Sequence, residues 1–224
     1  MQPPIDHEDM IANRQETGIR TGDWSDTILP AVCVLLVAGI ISTLFIPWER
    51  HALEIIQPFG DTPFGDFFVT AARYGGNGFY QAIIPALLLF YAWRAGNRLM
   101  MCRMRIALYA LVTSGLIANV FKFLVGKARP GENLSNWATL PFSIANDFHS
   151  FPSGHTTTSF ALAYVFTAFY PRLGPVFFIT ASLIGTGRIV GESHFPSDVM
   201  GGALLGMVTG WAMLRFCKHG HDER

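Results

Sequence analysis

The stretch MRIALYALVTSGLIANVFKFLV, residues 104–125, is long and apolar enough to decide what kind of fold this chain adopts. An α-helix that crosses a bilayer needs about 20 predominantly apolar residues. The only charged side chains in the stretch, Arg105 and Lys122, lie near its two ends, where a long cationic side chain can reach the headgroups. The stretch therefore predicts a transmembrane helix.

Five further apolar runs are spaced along the chain, at residues 28–48, 79–93, 155–170, 173–189 and 199–216. Hydrophobic residues make up 50% of the chain and charged residues only 14%, whereas a soluble helical protein normally carries more charge and clearly amphipathic helices. We therefore predict an all-α integral membrane protein, a six-helix transmembrane bundle over residues 28–216. A polar tail, 1–27, precedes the bundle, and a short cytoplasmic tail, 217–224, follows it.

The orientation of the bundle follows from its lysine and arginine residues, because cytoplasmic loops are enriched in both. They concentrate after the second, fourth and last spans, at Arg94, Arg98, Arg103, Arg105, Arg172, Arg215, Lys218 and Arg224. Both termini are then predicted to be cytoplasmic, with the loops 49–78, 126–154 and 190–198 on the outer side. The tail 1–27 holds six acidic side chains and two arginines, unlike a signal peptide, so we expect the first span to be retained.

Net charge and cysteine usage argue against two further classes of protein. The formal net charge is zero, which gives no support for a nucleic-acid partner. Cys33, Cys102 and Cys217 are scattered along the chain and indicate neither a disulfide framework nor a zinc site.

The outer loop 49–78 has a pattern of its own. Phe64, Phe67, Phe68 and Ala71 recur at helical spacing. They predict a short helix that either lies along the membrane interface or packs against the bundle.

Three groups of polar residues occur in order, each at the outer end of a predicted span. They are K-x6-RP at residues 122–130, PSGH at 152–155 and R-x5-H-x3-D at 188–198. A cation near hydrocarbon is costly without a partner, about 2.5–3.5 kcal/mol at mid-bilayer on insertion scales. Lys122, Arg129 and Arg188 together therefore predict a bound anion, whereas any one of them alone could simply extend to the headgroups.

The second group has the features of a helix start. Pro152 is tolerated in a first turn, and the Ser153 side chain can cap unpaired backbone amides. Gly154 lets a ligand approach the backbone closely. With free N–H groups and the positive end of the helix dipole, this turn predicts a phosphate cradle that precedes His155.

His194 and Asp198 are four residues apart at the predicted start of the sixth span, a spacing that places both on one helical face. An aspartate that accepts one ring N–H fixes the tautomer and leaves the other ring nitrogen free to attack. The alternative interpretation is a capping aspartate beside a surface histidine.

Together the three groups resemble the type 2 phosphatidic acid phosphatase (PAP2) superfamily, in its branch of bacterial membrane lipid phosphatases. The family pattern is K-x6-RP, PSGH and SR-x5-H-x3-D, and the resemblance covers roughly residues 100–215. One position departs from it, because Gly187 stands where the family has serine before Arg188. The departure leaves the reacting groups intact and puts a secondary phosphate contact in doubt.

The resemblance also implies a role for each residue. His194 would take the phosphoryl group as a phosphohistidine, oriented by Asp198, and His155 would protonate the leaving oxygen and later activate water. The groups that would hold the phosphoryl oxygens are Lys122, Arg129, Ser153, Gly154 and Arg188. Because His194 must be neutral and His155 protonated, a bell-shaped pH dependence is predicted.

No metal or other cofactor is expected, because three cations supply the charge that magnesium supplies in other phosphoryl-transfer enzymes. A metal site would have to draw on His149, His155, His194, Asp147 and Asp198. These residues show no HExxH or similar ligand spacing.

The implied substrate is a lipid phosphate or diphosphate in the inner membrane, reached from the periplasmic or extracytoplasmic side. Undecaprenyl diphosphate, phosphatidylglycerophosphate, lipid A phosphate and phosphatidic acid all fit the motifs. Two other functions stay open: a lipid phosphotransferase that uses the same phosphohistidine, and a carrier for phosphorylated solutes.

Overall fold

The computed structural model describes residues 48–131 and 138–222, with side chains as far as residue 216. The predicted tail 1–27 and nearly all of the first predicted span, 28–48, lie outside the described residues. The described residues form seven α-helices: α1 (Glu49–Gly60), α2 (Pro63–Gly75), α3 (Gly78–Arg94), α4 (Arg98–Val125), α5 (Gly154–Phe169), α6 (Gly174–Val190) and α7 (Pro196–Asp222). They contain no β-strand, which confirms the all-α class for this part of the chain.

Five of these helices, α3 to α7, coincide with the second to sixth predicted spans. Among the described residues, three helical segments are long and apolar enough to cross a membrane: Arg98–Val125, Pro171–Val190 and Pro196–Phe216. The second of these begins with a short 3₁₀ turn, Pro171–Leu173, that leads into α6. The count of six spans and the orientation of the termini remain predictions.

The longest helix, α4, has sequence-encoded ends. The Asn97 side chain accepts a hydrogen bond from the Met100 N–H at 3.0 Å and caps the first turn. Gly126 ends the helix in the left-handed conformation, with φ at 58°, where glycine carries no side-chain penalty. The chain then turns sharply toward residues 127–130, the second half of the first motif.

The most extensive helix pairing joins α5 and α7. Gly202, Gly206 and Gly210 recur at four-residue intervals along α7 and lie against the backbone of α5. A Cβ built at Gly202 would lie 2.7 Å from the Ser153 carbonyl oxygen, and one at Gly210 would lie 2.8 Å from that of Ala161. Small residues at this spacing allow membrane helices to approach backbone to backbone.

The predicted short helix in the outer loop is confirmed as α2. Thr62 caps it by accepting a hydrogen bond from the Gly65 N–H at 3.0 Å. The helix packs on α6, where Ala72 contacts Gly187 so closely that a Cβ at position 187 would collide with it. Phe64 and Phe67 point away from this contact and are exposed. Helix α2 therefore packs against the bundle and also presents an aromatic face outward.

Candidate active site

The three sequence motifs meet where α4 ends and where α5 and α7 begin. The Ser153 N–H donates to the Asp198 carbonyl oxygen at 2.9 Å, which joins the second motif to the third. An Arg129 Nη1 donates to the Ser193 carbonyl oxygen at 3.2 Å, which joins the first motif to the third. The fold therefore brings together side chains that are far apart in the sequence.

Lys122, in the last turn of α4, extends to the start of α5. A Cβ built at Gly154 would lie only 3.6 Å from the Lys122 Nζ, so the ammonium group sits beside the first residue of that helix. The charges of Arg129, Asp198 and Arg188 all act on Lys122 at this distance. The three predicted cations thus converge on one place.

Arg188, in the last turn of α6, is largely buried, with an exposed fraction of 8%. Its Nε has no hydrogen-bond partner among the described residues. A buried donor without an acceptor costs about 1–3 kcal/mol, and more when it is charged. Because Lys122 and Arg129 lie close by, an anion that accepts from Arg188 would also reduce the repulsion among the three cations.

Arg129 is held by carbonyl groups of the loop that follows α4. Its Nε donates to the Asn146 carbonyl oxygen at 3.0 Å. Burial lowers the pKa of Arg129, and the carboxylates of Asp198 and Asp147 oppose that shift. Because an arginine starts from so high a pKa, it remains charged at neutral pH.

His194 is buried, with an exposed fraction of 2%, and stands beside Asp198. Its Nδ1 lies 3.8 Å from the Asp198 Oδ2, which is beyond hydrogen-bonding distance. Burial lowers the pKa of His194 to about 4, Asp198 opposes that shift, and Lys122 and Arg129 add to it. The imidazole is therefore neutral at pH 7, as a nucleophile requires.

The prediction that His194 lies on a helix is wrong. Helix α7 begins at Pro196, so His194 belongs to the preceding turn, where its N–H donates to the Arg188 carbonyl oxygen at 3.3 Å. The Asp198 carboxylate also has closer partners than the imidazole. Its Oδ2 accepts from the Ser150 hydroxyl at 2.5 Å and from the Phe195 N–H at 2.8 Å.

His155 lies in the first turn of α5 and is half-buried. Gly76 packs against it so closely that a Cβ there would lie 2.7 Å from the His155 Cδ2, and the ring hydrogen-bonds the backbone of Arg73. The imidazole is also near enough to His194 and Arg188 for their charges to act on it. Both predicted histidines therefore belong to one site.

Ser153 occupies the N-cap position of α5, as predicted, and is fully buried. The prediction that its side chain caps a backbone amide is wrong, because no such hydrogen bond forms. Its Oγ instead accepts from the Thr156 hydroxyl at 3.0 Å. A threonine one turn into the helix thus holds the serine hydroxyl in place.

Sequence reasoning missed Lys127, which the first motif treats as a spacer. Its side chain is completely buried, and its Nζ donates to the Asp198 Oδ1 at 2.9 Å. The same Nζ lies 3.4 Å from the Glu49 Oε2, at the start of α1. A lysine in the turn between Lys122 and Arg129 is the only hint of this that the sequence offers.

The residues considered for a metal site do not form one group of ligands among the described residues. The His149 Nε2 is 2.7 Å from the Ser143 carbonyl oxygen. Within residues 48–131 and 138–222, no three His, Cys, Asp or Glu side chains are grouped so as to hold a metal ion.

Three cations beside a buried histidine and its aspartate thus form a candidate anion-binding site at one end of the helical bundle. Residues 103–220, more than half of the chain, match the PAP2 superfamily. The chain therefore belongs to the PAP2 superfamily, and the resemblance carried by the three motifs is confirmed.

Among curated relatives, the lipid A 1-phosphatase of Rhizobium johnstonii is 30% identical over 171 residues, which are 70% of this chain and 63% of that protein. The lipid A 1-phosphatase of Rhizobium etli is 36% identical over 59% of this chain and 62% of its own length. The chain thus spans less than two thirds of these two relatives. The undecaprenyl-diphosphatase BcrC of Bacillus subtilis is 30% identical over 61% of this chain and 69% of its own length.

Two solved structures share the fold. LpxE of Aquifex aeolicus superposes with a TM-score of 0.53 at 25% identity, over 75% of this chain and 94% of that one. A PAP2-type phosphatidylglycerolphosphate phosphatase from Bacillus subtilis superposes with a TM-score of 0.57 over 84% of this chain and 96% of that one. At 14% identity, the second comparison speaks for the fold alone.

Proposed function

We propose that this chain is an integral membrane lipid phosphatase that works through a phosphohistidine. The observation that carries the proposal is the buried Arg188 Nε without a partner, beside Lys122, Arg129 and the neutral imidazole of His194. Such an arrangement suits a phosphoryl group, because its oxygens accept from cations while its phosphorus faces the nucleophile. The match to the PAP2 superfamily supports the same reaction class.

In the first step, the His194 Nε2 attacks phosphorus and the bond from phosphorus to the leaving oxygen breaks. His155, protonated, gives its proton to that oxygen. The Asp198 carboxylate, 3.8 Å from the His194 Nδ1, stabilises the positive charge that grows on the imidazole. We expect this distance to shorten in the substrate complex, as catalytic hydrogen bonds often do.

In the second step, water attacks the phosphorus of the phosphohistidine and the P–N bond breaks. His155, now neutral, takes the proton from the water, and the electron pair of the broken bond returns to His194. Both histidines regain their starting states as phosphate leaves. The Ser153 hydroxyl and the Gly154 amide complete the ring of donors around the three equatorial oxygens.

For the substrate we propose the phosphate of a lipid A-type glycolipid first and a polyprenyl diphosphate second. The relatives named lipid A 1-phosphatase match this chain at 30% and 36% identity, and the relative named undecaprenyl-diphosphatase matches at 30%. The substrate would enter from the outer side of the inner membrane, where the positive-inside rule predicts the site.

Phosphate release by the detergent-purified protein from a panel of lipid phosphates tests the proposal. We expect release from at least one lipid, and His194→Ala to lower kcat by about four orders of magnitude or more, as removal of a nucleophile does elsewhere. His155→Ala should also lose nearly all turnover. An active His194→Ala protein would overturn the phosphohistidine.

Two further arms of that assay separate the remaining alternatives. We expect activity to survive excess chelator and to be blocked by vanadate, which mimics five-coordinate phosphorus; loss with chelator would restore a metal-dependent reaction. Release of inorganic phosphate from one purified lipid argues for hydrolysis. Transfer to a second lipid without release would make the chain a phosphotransferase, and transport by the His194→Ala protein would make it a carrier.

A further inference from the structure

A buried cluster of charged groups stands behind Asp198, on the carboxylate oxygen that does not face His194. Its members are Lys127, Glu49 and Asp198, with exposed fractions of 0%, 1% and 0%. The Lys127 Nζ lies 2.9 Å from the Asp198 Oδ1 and 3.4 Å from the Glu49 Oε2. Lysine thus bridges two carboxylates that come from opposite ends of the described chain.

The cluster also joins two helix starts. The Glu49 Oε1 accepts a hydrogen bond from the Ser197 N–H at 2.8 Å, in the first turn of α7. The Lys127 Nζ donates to the Ser197 hydroxyl at 2.8 Å and lies 4.6 Å from the centre of the Phe195 ring. Glu49 therefore attaches α1 to the segment that carries both His194 and Asp198.

Stability alone is a weak reason for such a cluster. Each ion costs several kcal/mol to remove from water, and well-packed apolar residues in place of a buried ion pair are often as stable. The charges have another use beside a nucleophile. Lys127 and the two carboxylates of the cluster together carry a net charge of about −1. A negative charge nearby stabilises the positive charge that grows on the imidazole.

We propose that Lys127 and Glu49 are positioning residues for phosphoryl transfer. Lys127 fixes the Asp198 carboxylate through one oxygen, while the other oxygen remains directed to His194. Glu49 offsets the charge of Lys127, so that the negative charge of Asp198 still stabilises the imidazolium of His194. Helix α1 thereby completes the site through its first residue. The inference rests on the proposed function, since it assigns these residues to the same reaction.

The first test is Glu49→Gln, which keeps an oxygen for the Ser197 N–H and removes only the charge. We expect kcat to fall about 10- to 100-fold, as loss of an outer-shell partner does at other sites. KM should stay unchanged, because Glu49 contacts no group placed on the substrate. The matched control is Glu54→Gln, an exposed residue of α1 that pairs with His51 and should leave kcat at the wild-type value.

The second test separates charge balance from simple packing. Lys127→Met leaves two uncompensated carboxylates, whereas the double variant Lys127→Met with Glu49→Gln restores the net charge. We expect the double variant to be at least about tenfold more active than Lys127→Met. Contacts that only support the fold would instead make the double variant the poorer of the two.

The outcomes distinguish this inference from the function on which it rests. An active wild-type protein with an equally active Glu49→Gln variant would overturn the inference alone. The inference would also be overturned if Glu54→Gln lowered kcat as much as Glu49→Gln does. A double variant less active than Lys127→Met would overturn it as well. A wild-type protein that releases phosphate from no lipid would overturn the proposed function and the inference together.

Discussion

Helix α3 and the site at the start of α7 place polar and apolar groups in opposite ways. In α3, only Pro85 and Ala92 are buried, while Phe79, Leu87 and Phe90 are more than half exposed. At the site, the charged and polar side chains of Asp198 and His194 are at least 98% covered. In a water-soluble protein, large apolar side chains are usually buried and charged side chains are usually exposed.

This difference in exposure reflects the different surroundings of the two regions. Apolar side chains can stay exposed on α3 because lipid or another apolar helix can cover them, as helices in membranes require. Polar side chains at the site are covered by the surrounding protein, so most of them bind one another and the backbone. Where they do not, as at the Arg188 Nε, the proposed phosphoryl group would be the acceptor.

Among the variants that test this comparison, the largest effect is expected from removing that unpaired guanidinium. Arg188→Ala should lower kcat/KM about 10²- to 10³-fold, the range observed when one donor to a transition-state oxyanion is lost. Arg172→Ala, an exposed arginine in the 3₁₀ turn before the same helix, is the control and should match the wild type. Equal rates for the two variants would show that the unpaired donor serves no ligand.

The next effect concerns the contact between α2 and α6. Gly187→Ser, which restores the family serine, should destabilise the protein by about 1–3 kcal/mol, because its Cβ would collide with Ala72. Thermal unfolding in detergent measures the change. Gly78→Ser is the matched control, since no atom lies within 4 Å of a Cβ there. A fully stable Gly187→Ser protein would mean that α2 moves aside freely.

A third effect depends on the protonation of His194. Burial lowers its pKa to about 4 from the usual 6.5, so the imidazole stays neutral as pH falls from 7 and takes up a proton only near pH 4. The acidic limb of kcat/KM should therefore lie well below 6.5 and then fall about tenfold per pH unit. Incubation at each pH followed by assay at pH 7 excludes irreversible unfolding. An acidic limb near 6.5 would place His194 in a wetter environment than the one described.

The smallest effect is expected on the exposed face of α3. Leu87→Ala should change the free energy of unfolding by less than about 0.5 kcal/mol, as for most surface substitutions. Leu111→Ala, in the buried core beside α5, removes the same atoms and should cost several times more. If both variants lower the free energy of unfolding equally, Leu87 packs against another helix and does not face lipid.

Much of the site could be predicted from sequence, because its motifs have fixed internal spacing at the ends of apolar runs. Lys122, Arg129 and Arg188 converge as expected, and the turn at Gly154 begins a helix beside them. Helix α2 was predictable for a similar reason, since its aromatic residues repeat at helical spacing. The roles of the two histidines remain predictions.

The rest depended on contacts that no local pattern records. Nothing in the sequence near Glu49 shows that its carboxylate meets an amide 148 positions away. The helix start at Pro196 left His194 in a turn, because proline commonly begins a helix and the histidine precedes it. Ser153 makes no capping hydrogen bond to its helix, and its hydroxyl oxygen accepts from the Thr156 hydroxyl instead.

The glycines along α7 also bear on how the proposed lipid substrate would be admitted and released. Because Gly202, Gly206 and Gly210 place α7 against the main chain of α5, the helices that carry His155 and Asp198 are in close contact at three positions. We therefore expect α5 and α7 to move together rather than to separate. Any movement that admits the proposed lipid substrate is therefore expected between other helices of the bundle.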